Sequence, residues 1–371
     1  MEGFEMGKVK VLTARQAADL IKDGDTVTLS GFVANGIAEA LNAAAEERFL
    51  ETGHPKDLTL FWVAGTGNKD GSHADHYAHE GMVKKVIGGH FNFVPKICEM
   101  LSENKIEGYN VPQGAIAQML RDNAAHKVGT ISHVGIGTFA DPRNGGGRLS
   151  EKTKEDIVKV IELEGQEQLF YPRIPLDVAF IRGTYADELG NITLEKEMAP
   201  LDATSQAMAV HNNGGLVVVQ VERVVKAGHL DPKLVKIPGI YVDAVVECPA
   251  DDPKQSQSIN CTYDPAYAGN TQVPVSSLEP KKLDAKKIIG RRAAMELKKN
   301  VVVNLGVGVP EWVSSVAAEE GVADEMTLTV ECGPVGGVPG GGLRFGGSVN
   351  AQAYMDEGYQ FDFYDGGGLD L

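Results

Sequence analysis

The sequence predicts an α/β protein built from two related open α/β domains with mostly parallel sheets. Three observations lead there. Strand-like and helix-like segments alternate along the first third of the chain, which implies parallel strands covered by helices. Apolar residues make up 43% and charged residues 23% of the 371, which suits a packed core. A strand, glycine turn and helix pattern occurs twice, as TVTLSGFVANGIAEAL (Thr26–Leu41) and VVVNLGVGVPEWVSSV (Val301–Val316).

The elements follow in order. Residues 25–30 read as a strand, 31–36 as a turn, and 37–50 as an Ala-rich helix with Ile37, Leu41, Ala45 and Phe49 on one face. Strands are expected at 57–63, 85–87, 107–111 and 130–134, with helices at 96–102 and 115–125. Strands at 177–182, 193–196 and 215–221 extend the sheet. Residues 248–284 hold five prolines among many Ser, Asn, Gln and Asp, and read as an interdomain linker. They separate a first domain (1–247) from a second (285–371), which begins with a helix at 285–299, a strand at 301–305, a helix at 310–318 and a strand at 326–331.

Composition excludes several classes. The formal net charge is −16, so a nucleic-acid partner is not expected. No apolar run approaches the roughly 18–20 residues of a membrane span, and no signal peptide precedes the first strand, so a cytoplasmic location and no membrane partner are expected. Cys98, Cys248, Cys261 and Cys332 are scattered, with no CxxC pair. The stretch Gly135–Ala140 resembles a dinucleotide fingerprint but runs into Asp-Pro-Arg-Asn rather than a helix, which argues against NAD. His73, His76 and His79 form HxxHxxH. Three-residue steps drift around a helix, so these rings need not converge, and no metal is assigned.

Two segments carry chemistry. The first is 326–350, whose strand ends in Glu331-Cys332-Gly333 before a glycine-crowded loop. The last 41 residues hold 12 of the 44 glycines. Alternation puts Thr327, Thr329 and Glu331 on one face and Leu328, Val330 and Cys332 on the other. In α/β folds the carboxyl ends of strands line the ligand crevice, so Glu331 is placed either for catalysis or merely to cap the strand or pair with an Arg. Cys332, on the apolar face, reads as structural. The second segment is 109–114 (YNVPQG), which sets Gln113 at a strand-to-helix turn. Its amide could donate to a developing oxyanion or simply satisfy loop backbone.

These residues sit in a wider ordered set: GDTVTLSGF (24–32), VPQGAIAQMLRD (111–122), GIGTFADPRNGGG (135–147), ADELGNITLEKE (186–197), VNLGVGVPEWV (303–313), VECGPVGG (330–337) and DGGGLDL (365–371). Taken in order, the set resembles the class I CoA-transferases, most closely the single-chain short-chain acyl-CoA:carboxylate type that includes acetate and propionate CoA-transferases. Related succinyl-CoA:3-ketoacid enzymes carry Glu-Asn-Gly where this chain has Glu-Cys-Gly.

The resemblance implies Glu331 as nucleophile, and Gln113 and one of Gly366 and Gly367 as oxyanion donors. It also implies Asn304, Gly306, Gly308, Gly336 and Gly337 along a CoA channel. The implied reaction moves CoA from a short-chain acyl-CoA to acetate, propionate, butyrate or lactate, through a glutamyl-CoA thioester, with no cofactor beyond CoA itself. A homo-oligomer is usual for the family. Two other readings are an acyl-CoA hydrolase and a non-catalytic ligand-sensing or assembly subunit on the same fold. Relatives with both halves in one chain continue past the glycine pair, so the second domain is expected to be incomplete at Leu371. The remainder would come from further residues or a separate chain.

Overall fold

A computed structural model describes residues 7–364. Its frame is an eight-stranded sheet in the order Lys10–Leu12, Ala244–Glu247, Leu216–Val221, Val178–Arg182, Thr26–Leu29, Leu58–Trp62, Val83–Gly88, Glu107–Asn110. All seven neighbouring pairs are parallel. A parallel sheet has to be covered on both faces, and its strands read accordingly as Val, Leu, Ile and Phe runs.

The covering helices are α1 (Ala14–Ala18), α2 (Glu39–Thr52), α3 (Pro95–Ser102), α4 (Gln113–Ala124) and α5 (Ala203–Asn212). Successive sheet residues divide between two cores. Ile87, Ala179, Ile181, Val217 and Val219 pack with Ile116, Leu120 and Ala207 of α4 and α5. Val27, Leu60, Val86, Phe180 and Val218 pack with Ala17, Leu41 and Ile97 of α1, α2 and α3.

Several elements differ from expectation. The strand expected at 130–134 does not join the parallel sheet. It forms Gly129–Ser132, the edge of a three-stranded antiparallel sheet with Gln166–Pro172 and Lys159–Leu163. The last two are joined by a two-residue turn, Glu164-Gly165, with both φ values positive (51° and 76°), the arrangement whose twist matches a hairpin. The strand expected at 193–196 is Ile192–Thr193, inside a separate four-stranded sheet.

In the second part, α6 (Ala285–Ala294) stops short of Lys299 and α7 (Glu311–Glu319) packs on it. Asn300 then takes a left-handed φ of 60°, which no helix can propagate. Strands Val302–Asn304 and Thr327–Thr329 pair in parallel. The chain then reverses to give antiparallel Pro334–Val335 and Ala353–Tyr354, so this sheet is parallel only at its start. The last helix, α8 (Glu357–Phe363), returns to lie on α4. Both copies of the repeated pattern fold as strand, turn and helix.

The expected linker is not loose. Gln255, Gln257 and Ser258 are buried. The Arg182 guanidinium donates to the carbonyls of Gln255 (3.0 Å) and Ser256, and Gln220 Nε2 donates to Gln255 Oε1 (2.7 Å). The Ser258 hydroxyl donates to the Leu343 carbonyl. The segment is therefore a strap seated on the first part, with its exposed stretch further on.

A small core joins the two parts, containing Phe32, Val33, Ala64, Leu201, Val330, Cys332 and Phe345. Across it, the buried Asn35 donates from Nδ2 to the Phe345 carbonyl at 2.6 Å. Asn35→Ala strands that carbonyl, and the expected loss is about 1–3 kcal/mol. The check is a lowered urea midpoint with an unchanged denaturant slope. A shift under about 0.5 kcal/mol shows the bond to be dispensable.

Candidate active site

Glu331 owes its position to a tight reversal. After Thr327–Thr329 the chain turns through Val330, Glu331, Cys332 and Gly333, closed by Gly333 N–H to the Val330 carbonyl (3.1 Å). The strand thus ends two residues before the expected limit, and Glu331 sits at a corner of the turn. Val330 and Cys332 are driven into the joining core and are fully buried. Glu331 points the other way, into a cavity of about 300 Å³.

The lining of that cavity also includes Gln113, the first residue of α4. Pro112 precedes it and fixes the entry into the helix. Asn110 ties the neighbouring loop down by donating from Nδ2 to the carbonyls of Gly88 (3.0 Å) and Gly89 (2.8 Å). Gly89 has to be glycine here. A Cβ would fall 2.1 Å from the Val63 carbonyl oxygen and 3.2 Å from Gln113 Cβ. Phe32, Phe93, Phe139 and Phe345 supply apolar walls.

Residues more than 200 positions apart are thus placed on one cavity. Asn304, at the end of its strand, offers its amide to Glu331, and its Oδ1 accepts from the Tyr364 hydroxyl at 3.3 Å. Gly306 and Gly308 flank Val307, which lines the cavity, and a Cβ at either would meet nothing within 4 Å. Gly336 and Gly337 do not line it. They make the turn before Val338–Pro339, where a Cβ would meet Gln352 Cδ at 2.7 Å and the Val349 carbonyl at 2.3 Å. Gly366 and Gly367 lie outside the described residues.

The electrostatics are unusual. Glu331 is half-buried, and its Oε2 is buried with no hydrogen-bond partner among the described residues. Burial pushes its carboxyl up to about 7. Only its own backbone N–H and the Asn304 amide act the other way. Cys332 beside it is buried and its thiol is pushed well above its usual range by burial and by Glu331, as the structural reading expects.

Three cavity-associated residues went unnoticed in the sequence. His90 lines the cavity, and burial, aided by Lys69, lowers its pKa. Glu357, at the start of α8, accepts a hydrogen bond from Gln113 Nε2. Asp202, before α5, is buried against Glu357. Neither acid has a local sequence signature, because each gains its meaning from the other.

The three histidines of HxxHxxH diverge. His73 is buried edge-on to Trp62. His76 bridges Glu39 (2.7 Å) and Glu46 (2.5 Å), and His79 meets Glu46 (2.6 Å). Among the described residues no group of three or more His, Cys, Asp or Glu is placed to hold a metal ion, and no helix is long and apolar enough to cross a membrane.

Comparison with known proteins gives this cavity its context. The Coenzyme A transferase family matches residues 11–248. The chain is 43% identical over 368 residues to acetate CoA-transferase YdiF of Escherichia coli K12, covering 98% of this chain and 68% of that protein. It is 42% identical over 362 residues to the caffeate CoA-transferase of Acetobacterium woodii, covering 98% and 69%. The crystal structure of the Escherichia coli O157:H7 acyl-CoA transferase YdiF, as a thioester complex with CoA, matches with a TM-score of 0.89 at 40% identity. That match covers 97% of this chain and 67% of the other. Glutaconate CoA-transferase from Acidaminococcus fermentans shares the fold, with a TM-score of 0.54 at 21% identity over 71% of this chain and 84% of that one. The chain belongs to the class I coenzyme A transferases, of the acetate CoA-transferase type, enzymes that move CoA between an acyl-CoA and a carboxylate.

Proposed function

We propose that Glu331 is the nucleophile of a ping-pong CoA transfer between short-chain acids, with Gln113 as an oxyanion donor. The observation that carries this is a carboxylate with one buried, unpartnered oxygen and no neutralising cation among the described residues, sharing one cavity with a side-chain amide. A carboxylate is a weak nucleophile in water, and removing its water shell while leaving its charge free makes it a stronger one.

In the first step, Glu331 attacks the thioester carbonyl of the donor. The Gln113 amide stabilises the tetrahedral oxyanion, CoA thiolate leaves, and an acyl-glutamyl anhydride forms. The thiolate then attacks the Glu331 carbonyl, which releases the first acid and leaves a glutamyl-CoA thioester. An acceptor carboxylate reverses both steps. The crystallisation of a 40% identical relative as a thioester complex with CoA supports this route. The four phenylalanines exclude water, which would otherwise hydrolyse the intermediates. The limited volume favours short acyl groups. A caffeate CoA-transferase at 42% identity makes a larger acid the informative comparison substrate.

Incubation with acetyl-CoA followed by borohydride should reduce the thioester to an alcohol, giving a lighter peptide that carries Glu331. Turnover with no change at Glu331, or an active Glu331→Gln, would falsify the assignment. The kcat/KM should rise through about pH 7 as the Glu331 carboxyl ionises.

Stability should run in the opposite sense. A carboxyl held at about 7 when folded and near 4.5 when unfolded keeps its proton better in the folded state. Its contribution is full below about pH 4.5 and is lost as the pH rises to about 7. Near pH 8, Glu331→Gln should therefore be more stable than the parent by roughly 3 kcal/mol, and the gap should close below about pH 5. Equal unfolding midpoints near pH 8 would mean that the Glu331 carboxylate is solvated.

A further inference from the structure

Behind the cavity lining, bonded to Gln113, lies a pair of buried acids that the transfer chemistry does not use. Glu357 is 1% exposed and Asp202 is 4% exposed. The start of α8 is fixed beside Asp202, because Glu357 N–H donates to the Leu201 carbonyl at 3.1 Å. Asp202 precedes α5 yet makes no side-chain cap to it. Its carboxyl turns instead to Glu357 and to the Gly358 backbone N–H. Glu357 in turn accepts from Gln113 Nε2. The chain of contacts runs from Asp202 through Glu357 to Gln113 and ends at the cavity holding Glu331.

Two buried carboxyl groups in contact cannot both ionise, so they share a proton. We propose that Glu357 is a positioning residue for Gln113: as the neutral acid it donates its proton to Asp202 and accepts one N–H of the Gln113 amide, leaving the second N–H for the cavity. This inference rests on the reading of Gln113 as an oxyanion donor.

The division of the proton follows from the surroundings. Burial and the neighbouring Asp202 and Glu331 charges hold Glu357 well above the usual carboxylate range. Burial raises Asp202 as well, to about 7, opposed by its hydrogen bond with Glu357, by Arg121 and by the Gly358 N–H, which favour its ionised form. The other groups facing the pair are Asp356, whose own shift is opposed by Lys236 and Arg121, and the buried Cys332. A neutral Glu357 orients the amide without adding a second negative charge beside Glu331. An ionised one would grip the amide and also raise the energy of the oxyanion that the amide has to stabilise.

The test uses the full-length enzyme with Glu357→Gln, Glu357→Ala, Gln113→Ala and the double variant Gln113→Ala/Glu357→Ala. Folding is verified by thermal melting. Glu357→Gln can still donate to Asp202 and accept from Gln113, so kcat should stay within about three-fold of the parent. Glu357→Ala frees the amide, and kcat should fall on the order of 10²-fold with little change in KM. The double variant should be no slower than Gln113→Ala alone. The parent should lose kcat at alkaline pH as Glu357 ionises, and Glu357→Gln should lack that decline.

A folded Glu357→Gln as slow as Glu357→Ala, or one with an unchanged alkaline decline, overturns the proposal. So does a Glu357→Ala of full activity when Gln113→Ala is slow, in which case the oxyanion role of Gln113 stands. If Gln113→Ala is itself fully active, that role and this inference both fail. Should Glu357→Ala not fold, Glu357→Gln and its pH profile decide alone.

Discussion

A carboxylate that must lose its water without gaining a cation is the constraint on which this structure is organised. An ion pair would stabilise the Glu331 carboxylate and also quench it in the proposed role of attacking group. Its surroundings are neutral instead: the Asn304 amide, the phenylalanine walls, and the Gln113 amide in the same cavity. The nearest other acids, Asp202 and Glu357, are packed so that they hold a proton between them. Arg121, a cation of this region, is paired with Asp362 at 2.9 Å and stacked on Tyr359. The free energy of keeping a charge unpaired has to be recovered from packing elsewhere, and the double-sided core of the large sheet is the obvious source.

The same constraint explains why the site lies at a seam. Gln113 belongs to the first part of the chain and Glu331 to the second, and neither part alone encloses the carboxylate. The seam is held by contacts of different character: Phe32 on Phe345 with ring centroids 5.8 Å apart, Asn35 on the Phe345 carbonyl, the strap on Leu343, and α8 on α4. Apolar packing supplies most of the attraction, while the directional bonds set the register. Local opening there would rehydrate Glu331 before any strand of the main sheet separates.

Much of the frame was legible because parallel strands buried on both faces must be almost uniformly apolar, as at Val178–Arg182 and Leu216–Val221. The Lys159–Leu163 and Gln166–Pro172 hairpin was missed although its Glu-Gly turn is a recognisable signal. Its strands are half polar and lie among βα units, so their alternation does not stand out. The seating of the strap was not legible for a related reason: Pro, Ser and Asn describe a chain without regular structure and do not show what it packs against. Glu331 and Gln113 were singled out because one follows a strand and the other opens a helix, and both line one cavity. Glu357 and Asp202 were not, since a lone acid at a helix start is ordinary until another acid is packed against it.

Cys332 has a consequence of its own. The enzyme's substrate is itself a thiol carrier, so a cysteine adjoining the proposed nucleophile invites mixed disulfides with free CoA under oxidising conditions. Here the side chain is fully buried, its Sγ is 3.2 Å from the Gly346 carbonyl, and its thiolate is disfavoured by burial and by Glu331. Exchange requires a thiolate with access to the attacked sulfur, and Cys332 has neither. The turn that aims Glu331 into the cavity therefore also insulates the neighbouring sulfur from redox chemistry.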